Sequence, residues 1–307
     1  MKFIDLFAGI GGIRIPFDEI GYNCVFTSEW DKFSQQTYKD NFGECPDGDI
    51  TKIKVADIPK HNIILAGFPC QPFSNAGLKK GFQDTRGTLF FYIEKIIAYH
   101  KPELVFLENV KGFKSHDKGN TFKIVKESLE KLDYHVFDKI FNAKDFGVPQ
   151  NRERIYIIAF NKKKVKNYNE FVFPTPSYKK VKLGDILEEK VDEKYTISDK
   201  LWAGHKRRKE AHKLKGNGFG YSLFDANSAY TSTMSARYYK DGSEILIRQK
   251  NKNPRKITPR EASRLQGFPK DFVLTVSNVQ CYKQFGNSVA VPVIRAIAKK
   301  IEKVLST

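Results

Sequence analysis

The chain has 307 residues, enough for one large domain and a smaller one, and 40% of them are hydrophobic. Its 53 Lys+Arg against 35 Asp+Glu give a net charge of +18 at pH 7, which points to a polyanionic partner, nucleic acid first, although a solvated lysine-rich surface gives the same number. Four cysteines (Cys24, Cys45, Cys70, Cys281) form no C-x-x-C pair, no signal peptide opens the chain, and no apolar run nears the roughly 18 residues of a membrane span, so a disulfide framework, a zinc site and a membrane anchor are not expected. A soluble, cytoplasmic protein with reduced thiols is the expectation.

Taken in chain order, "KFIDLFA", "NCVFTSEW", "NIILAGF", "ELVFLENV" and "RIYIIAF" read as strands. Between them, "TLFFYIEKIIAYHK" and "NTFKIVKESLEKLDY" carry apolar residues at helical spacing, as in Leu89, Ile93, Ile96, Ile97 and in Phe122, Val125, Leu129, Leu132. That alternation predicts an α/β fold with a doubly wound, mostly parallel sheet. From about residue 165 to 256, Lys, Asn, Gly, Ser and Tyr dominate, with glycine-punctuated turns and hairpins in "KGNGFGYSLF" and "ARYYKDGSEILI", so a second, smaller domain is expected. A helix then starts at "ITPREASRLQGFP", with Thr258 as N-cap, Pro259 at the first helical position and Glu261 three residues after the cap. In "VPVIRAIAKKIEKVL", Val293, Ile294, Ile297, Ile301 and Val304 share a face, which predicts a C-terminal helix returning to the first domain.

The chemistry begins where the first strand ends. "DLFAGIGG" places Gly9, Gly11 and Gly12 where missing β-carbons let the backbone approach a nucleoside or phosphate, though a ligand-free glycine turn reads the same way. Glu29, eighteen residues after Gly11, stands near the interval at which an acid meets ribose hydroxyls, and Asp49 in "GDI" is a third feature at a strand end. Open α/β sheets bind ligands at the carboxyl ends of their strands, so a nucleoside-containing cofactor is expected, nicotinamide or adenosyl. Cys70, just past "NIILAGF" between two prolines, and Glu108, just past "LVFL", should project from the same edge. A stiff turn followed by Lys79, Lys80 and Arg86 favours a nucleophilic thiolate, against the alternative of a small buried hydrophobe. Desolvation would raise the pKa of Glu108 and make it an acid near neutral pH. Arg152 and Arg154, two apart, would share a strand face, where a guanidinium could anchor a substrate carbonyl.

The ordered series "DLFAGIGG", "SEW", "GDI", "GFPCQPFS", "ENV", "QNRERI", "RKITPREASRLQGFP" and "QFGNSV" resembles that of the bacterial DNA (cytosine-5)-methyltransferases. The series runs from residue 5 to residue 292, and only the segment from about 165 to 255, where that family places its target-recognition domain, lies outside it. The chain opens almost directly on the first strand, so an added N-terminal regulatory module is not expected. The resemblance implies a Rossmann-like methyltransferase domain over residues 1–170 and 283–307, with target-recognition domain and hinge over 171–282. It also implies S-adenosyl-L-methionine as cofactor. Phe7, Gly9 and Gly11 would lie against it, Glu29 would hold its ribose hydroxyls, Trp30 and Ile50 would flank the adenine, and Asp49 would accept its exocyclic amine. Leu89 and Asn287 match further positions near the cofactor.

The same resemblance implies how methyl transfer proceeds. Cys70 would add to C6 of cytosine so that C5 becomes nucleophilic, Glu108 would hydrogen-bond or protonate N3, and Arg154 would bind O2 with Arg152 close by. The Pro69 carbonyl would face the exocyclic amine, and the segment through Ser74, Gly77, Gly81 and Arg86 would close over a base flipped out of duplex DNA. "KGNGFGYSLF" and "TSTMSARYYKDGSEILI" are similar to recognition segments of enzymes acting on sites such as CCNGG or CCWGG, with Lys206, Arg207, Arg208, Arg237, Tyr238 and Tyr239 available to phosphates, base edges or solvent. The expectation is a monomeric DNA methyltransferase of a restriction-modification system, with no metal and with double-stranded DNA and a cognate endonuclease as partners. The alternatives are a tRNA methyltransferase of the same architecture, a nonenzymatic DNA-binding scaffold and, more distantly, a nicotinamide dehydrogenase.

Overall fold

The computed structural model describes residues 1–68, 89–178 and 180–306. Its strands are β1 (Lys2–Leu6), β2 (Asn23–Ser28), β3 (Ile63–Gly67), β4 (Leu104–Val110), β5 (Tyr134–Asn142), β6 (Glu153–Asn161), β7 (Leu223–Phe224), β8 (Leu246–Gln249) and β9 (Lys252–Lys256). The α-helices are α1 (Arg14–Glu19), α2 (Lys32–Phe42), α3 (Leu89–His100), α4 (Gly112–Ser115), α5 (Asn120–Lys131), α6 (Asp199–Leu214), α7 (Pro259–Leu265), α8 (Asn278–Asn287) and α9 (Val291–Leu305). The chain forms two compact units, one of Met1–Asn142, Glu153–Thr175 and Val293–Thr307, the other of Ala143–Arg152 and Pro176–Pro292.

The first unit is built on a six-stranded sheet in the order β2-β1-β3-β4-β6-β5. Its first four strands pair in parallel, and β6 runs antiparallel to both β4 and β5, so the expectation of a mostly parallel sheet holds. Alternation sorts the strand residues to two faces. Ile64, Ala66, Val105, Leu107, Ile155 and Ile157 face one core, closed by the α3 stripe of Phe90, Ile93, Ile96 and Ile97 and by Val125 and Leu129 of α5. On the other face Phe17 of α1 lies 6.0 Å from Phe3 and edge-on to Phe106 at 5.9 Å. The C-terminal helix α9 buries Val293, Ile294, Ile297 and Ile301, and Arg295 clasps Glu19 of α1 at 2.6 and 2.7 Å. Covering on both faces explains why the strands read as near-continuous apolar runs.

The second unit holds the small sheet β7-β8-β9 and helices α6, α7 and α8. Helix α7 starts as its sequence predicts: Thr258 Oγ1 accepts from the Glu261 N–H at 3.1 Å and Glu261 Oε2 accepts from the Thr258 N–H at 2.8 Å. Glu261 also takes both arms of Arg255, at 2.8 Å each, an ion pair buried within this unit. The hairpin found here, β8 with β9, turns at Lys250 and Asn251, beyond the glycine-punctuated segments where hairpins are expected, and the strands those segments supply, β7 and β8, pair in parallel.

Candidate functional site

Because β1 to β4 are parallel, Leu6, Ser28, Gly67 and Val110 end on one edge of the large sheet. The antiparallel β6 brings its first residues, Glu153 and Arg154, to that same edge. Beyond β1 the chain turns through positive φ at Phe7 (56°), Gly9 (56°) and Gly11 (77°). Gly11 has a second reason to be glycine, since a β-carbon there would stand 2.3 Å from Cε2 of Phe42. The turn thus lies against α2.

Glu29 follows the last residue of β2 and is buried. Its Oε2 accepts from the Gly9 N–H and its Oε1 from the Asp31 N–H, both at 2.8 Å, so the acid ties the glycine turn to the end of β2. Burial raises its carboxyl pKa, and the backbone donors of Asp31, Gly9 and Trp30 oppose that rise. Ser28 Oγ donates to the Gly48 carbonyl at 2.7 Å and the Asp47 N–H to Thr27 O at 2.8 Å, which fastens the 47–50 turn beside Glu29. Within it Asp49 accepts from the Thr51 N–H at 3.0 Å and from its hydroxyl at 2.8 Å, while Ile50 is buried in the core. Trp30, by contrast, is 78% exposed. Phe7, Gly9, Gly11, Glu29, Trp30, Asp49 and Ile50 therefore gather on the β1–β2 side of the edge. Each Glu29 oxygen keeps a further lone pair, and the exposed indole is a flat apolar face; together they fit the diol and the base of an adenosyl group.

The second cluster sits on β3, β4 and β6. Gly67 pairs with Glu108 in parallel register, and Arg154 pairs with Val110 across the antiparallel ladder. Glu108 and Val110 are two apart on β4, so Glu108 and Arg154 meet diagonally on one face. Arg154 Nε lies 3.2 Å from Glu108 Oε1, with side chains 14% and 10% exposed. Close by, Asn109 Nδ2 donates to the Phe68 carbonyl at 3.4 Å and Asn109 Oδ1 accepts from the Val110 N–H at 2.8 Å. The last described residue before the expected nucleophile is thereby tied to β4. Pro69, Cys70, Ser74, Gly77, Lys79, Lys80, Gly81 and Arg86 themselves lie outside the described residues. Leu89 opens α3, half-buried.

Arg152 does not share a strand face with Arg154, because β6 begins at Glu153. It belongs to the second unit, is buried, and donates to the carbonyls of Met234 and Gly286 at 3.1 Å each and to that of Ser288. Sequence reasoning missed the network around it. Gln150 Nε2 donates to Leu265 O and Gln266 Oε1 at 3.2 Å, Gln150 Oε1 accepts from the Met234 N–H at 3.1 Å, and Gln266 Nε2 donates to Phe285 O at 2.8 Å. "QNRER", "RLQGFP" and "QFGNSV" thus form one buried polar lattice. Gly286 completes it, since a β-carbon there would stand 2.4 Å from the Ser235 backbone. Asn287, the last residue of α8, is exposed beside this lattice in the same unit. The uncharged glutamines gave no signal that would separate them from surface loop residues.

Comparison with known proteins finds relatives along the whole chain. The family model described as C-5 cytosine-specific DNA methylase matches residues 1–303. The chain is 64% identical over 307 residues to the type II methyltransferase M.SsoII of Shigella sonnei, covering 100% of this chain and 81% of that protein. It is 62% identical to the type II methyltransferase M1.ScrFI of Lactococcus lactis subsp. cremoris, over 99% of this chain and 78% of that one. Among solved structures, the methyltransferase EhMeth of Entamoeba histolytica superimposes with a TM-score of 0.83 at 24% identity, covering 99% of this chain and 98% of that one.

Proposed function

The chain belongs to the C-5 cytosine-specific DNA methylase family, and we propose that it methylates C5 of a flipped-out cytosine within a short duplex sequence through a covalent Cys70–C6 adduct, as the protecting half of a restriction-modification pair. The chain is accordingly a DNA cytosine-5 methyltransferase, and enzymes of this family and fold take their methyl group from S-adenosyl-L-methionine. That cofactor supplies an electrophilic methyl on a sulfonium.

The residues then divide the work. In this reading Glu29 receives the ribose hydroxyls, Trp30 and Ile50 take the two sides of the adenine, Asp49 accepts its amine, Phe7, Gly9 and Gly11 give backbone access, and Leu89 and Asn287 complete the surround. Cys70 adds to C6, and Glu108 hydrogen-bonds or protonates N3 as charge develops, Arg154 holding O2. Loss of the C5 proton and release of the thiol end the cycle. Arg152, bonded to the carbonyls of Gly286 and Ser288 on either side of Asn287, fixes that turn. Pro69 faces the exocyclic amine, and Ser74 and Arg86 contact the DNA strand. Residues 1–170 and 283–307 form the catalytic domain, and 171–282 the target-recognition domain and hinge.

The observation that carries the reading is the Glu108–Arg154 pair at 3.2 Å, an acid and a guanidinium presented on the edge where β3 leads toward Cys70. Two hydrogen-bonding groups held side by side match the N3 and O2 of one pyrimidine. We further read the recognition region as selecting the inner cytosine of a CC-starting site of the CCNGG or CCWGG type, with the protein acting as a cytoplasmic monomer alongside a cognate endonuclease. Bisulfite sequencing of DNA from cells expressing the chain tests this directly: protected cytosines in one short motif are expected. Unmodified DNA overturns the reading, and unmodified DNA with methylated tRNA shifts the substrate to RNA. A duplex carrying 5-fluorocytosine at the target should yield a denaturation-resistant protein–DNA conjugate with wild-type protein and none with Cys70→Ser.

A further inference from the structure

Helix α6 is unusual for what it leaves uncovered. Of its sixteen residues only His205 is buried, its Nε2 3.2 Å from the Asp241 carbonyl, and every residue from Lys206 to Ala211 is exposed. A helix that is polar all round is not held by an apolar stripe, so its sequence must answer to something else. Residues 199–215 carry seven Lys/Arg against two Asp/Glu, five of the chain's eighteen excess positive charges. Two of these cations make polar contacts within the unit. Arg208 pairs with Asp241 at 2.9 Å, and Lys209 Nζ lies over the Tyr221 ring at 4.3 Å and donates to its carbonyl at 3.3 Å.

Those two contacts anchor the helix, and the glycine-rich 216–221 segment folds back on it. Gly220 takes φ +155° with Lys209 Cγ 2.9 Å from where its β-carbon would stand, Tyr221 meets Trp202 edge-on at 4.7 Å, and His212 Nδ1 lies 2.8 Å from Asn217 Oδ1. The side chains of Arg207 and Lys213 make no ion pair or hydrogen bond with any described residue, and Lys206 has only the Trp202 ring, at 5.4 Å. Lys206 and Lys213, seven residues and about 10 Å apart along the axis, share a face, with Arg207 beside it.

We propose that this face of α6 binds the phosphodiester backbone of duplex DNA without reading its sequence. The inference rests on the DNA-methylating function above and deepens it by separating positioning from readout. Charge complementarity selects the occupant: unpaired cations concentrated on one solvent-facing helix repel one another, and a polyanion relieves that repulsion while releasing counterions. Lys206 and Lys213 end in ammonium point charges, and no described neighbour orients the Arg207 fork toward a base edge, so the three suit phosphates.

The test is the salt dependence of duplex binding by the full chain, with cognate and non-cognate duplexes, for wild type and for the triple variant Lys206→Gln, Arg207→Gln, Lys213→Gln. Every phosphate that is no longer neutralised should lower the slope of log K against log salt by about 0.9, so the variant's slope should fall by roughly two to three, by the same amount on both duplexes. Methyl transfer at saturating DNA should be unchanged. The charge-preserving variant Lys206→Arg, Arg207→Lys, Lys213→Arg should keep the wild-type slope. An unchanged slope in the glutamine variant, a fall confined to the cognate duplex, or an equal fall in the charge-preserving variant each overturns the assignment. Binding is read apart from turnover: an inactive chain whose slope falls on neutralisation supports the surface and defeats the catalytic reading, whereas an active chain whose slope does not move defeats the surface alone.

Discussion

Arg154 Nε stands 3.2 Å from Glu108 Oε1, each on a different strand of one antiparallel pair, and neither side chain is more than 14% exposed. With Glu108→Gln the carboxyl can no longer protonate N3, and kcat for methyl transfer should drop by about 10²- to 10⁴-fold. Binding of S-adenosyl-L-methionine, measured by calorimetry, should stay within about twofold of wild type. A variant that loses cofactor binding in parallel with turnover would place Glu108 in the cofactor site instead.

Arg152 and Arg154 differ by two in number and should differ in what their removal does. Arg152→Ala leaves the buried carbonyls of Met234, Gly286 and Ser288 without their donor, a cost of about 3–5 kcal/mol, so thermal unfolding should occur well below wild type. Arg154→Ala removes one partner of a nearly buried pair and should also lose stability, but less than Arg152→Ala, which strips three buried carbonyls, while its turnover collapses. Equal melting temperatures for the two variants would contradict this division.

Gly9 and Gly11 form a matched pair on one turn. Gly9→Ala meets open space and bears only the cost of a left-handed conformation, about 1–2 kcal/mol. Gly11→Ala adds a clash at 2.3 Å with Phe42, so it should lose more stability and weaken cofactor binding further. Chemical denaturation of both variants decides the order; a Gly9→Ala protein less stable than Gly11→Ala would overturn the description of this turn.

Asp5, on β1 behind the glycine turn, is buried, and burial pushes its carboxyl from 3.8 up to about 8; Arg14 and a hydrogen bond from the Tyr38 hydroxyl oppose the rise. Its Oδ2 has no hydrogen-bond partner among the described residues. The folded state thus holds this proton more tightly than the unfolded chain, so the contribution to stability is complete below about pH 4 and is lost as pH rises through about 8. Asp5→Asn should flatten the fall of Tm across that window. Parallel Tm profiles for wild type and variant would show that Asp5 titrates normally.

Periodicity and punctuation made much of this architecture readable. The α3 stripe, the Thr258–Glu261 cap and the apolar face of α9 all follow local rules that tertiary contacts reinforce. Strand β5 went unread because "YHVFDKIFN" mixes charge into a strand whose burial alternates, and α6 because it has no apolar face to announce it. Its start was legible only in Ser198, whose hydroxyl accepts from the Leu201 N–H at 3.3 Å. In the candidate site, the positions of Glu29, just past β2, and of Glu108, near the end of β4, were legible because each follows the point where a run of apolar residues stops. The separation of Arg152 from Arg154 was invisible, because a two-residue spacing implies a shared face only inside a strand, and β6 starts one residue too late.

That late start has a broader consequence. Acid and guanidinium are brought side by side by the hydrogen-bond ladder of β4 and β6, with no flexible loop intervening, so their spacing is inherited from main-chain alignment. A slip of one residue between those strands would turn Arg154 to the opposite face of the sheet while leaving composition and net charge untouched. Insertions at the exposed turn of Asp117 and Lys118, which leave the ladder intact, should therefore be tolerated by the chemistry, whereas a single one inside either strand should silence it.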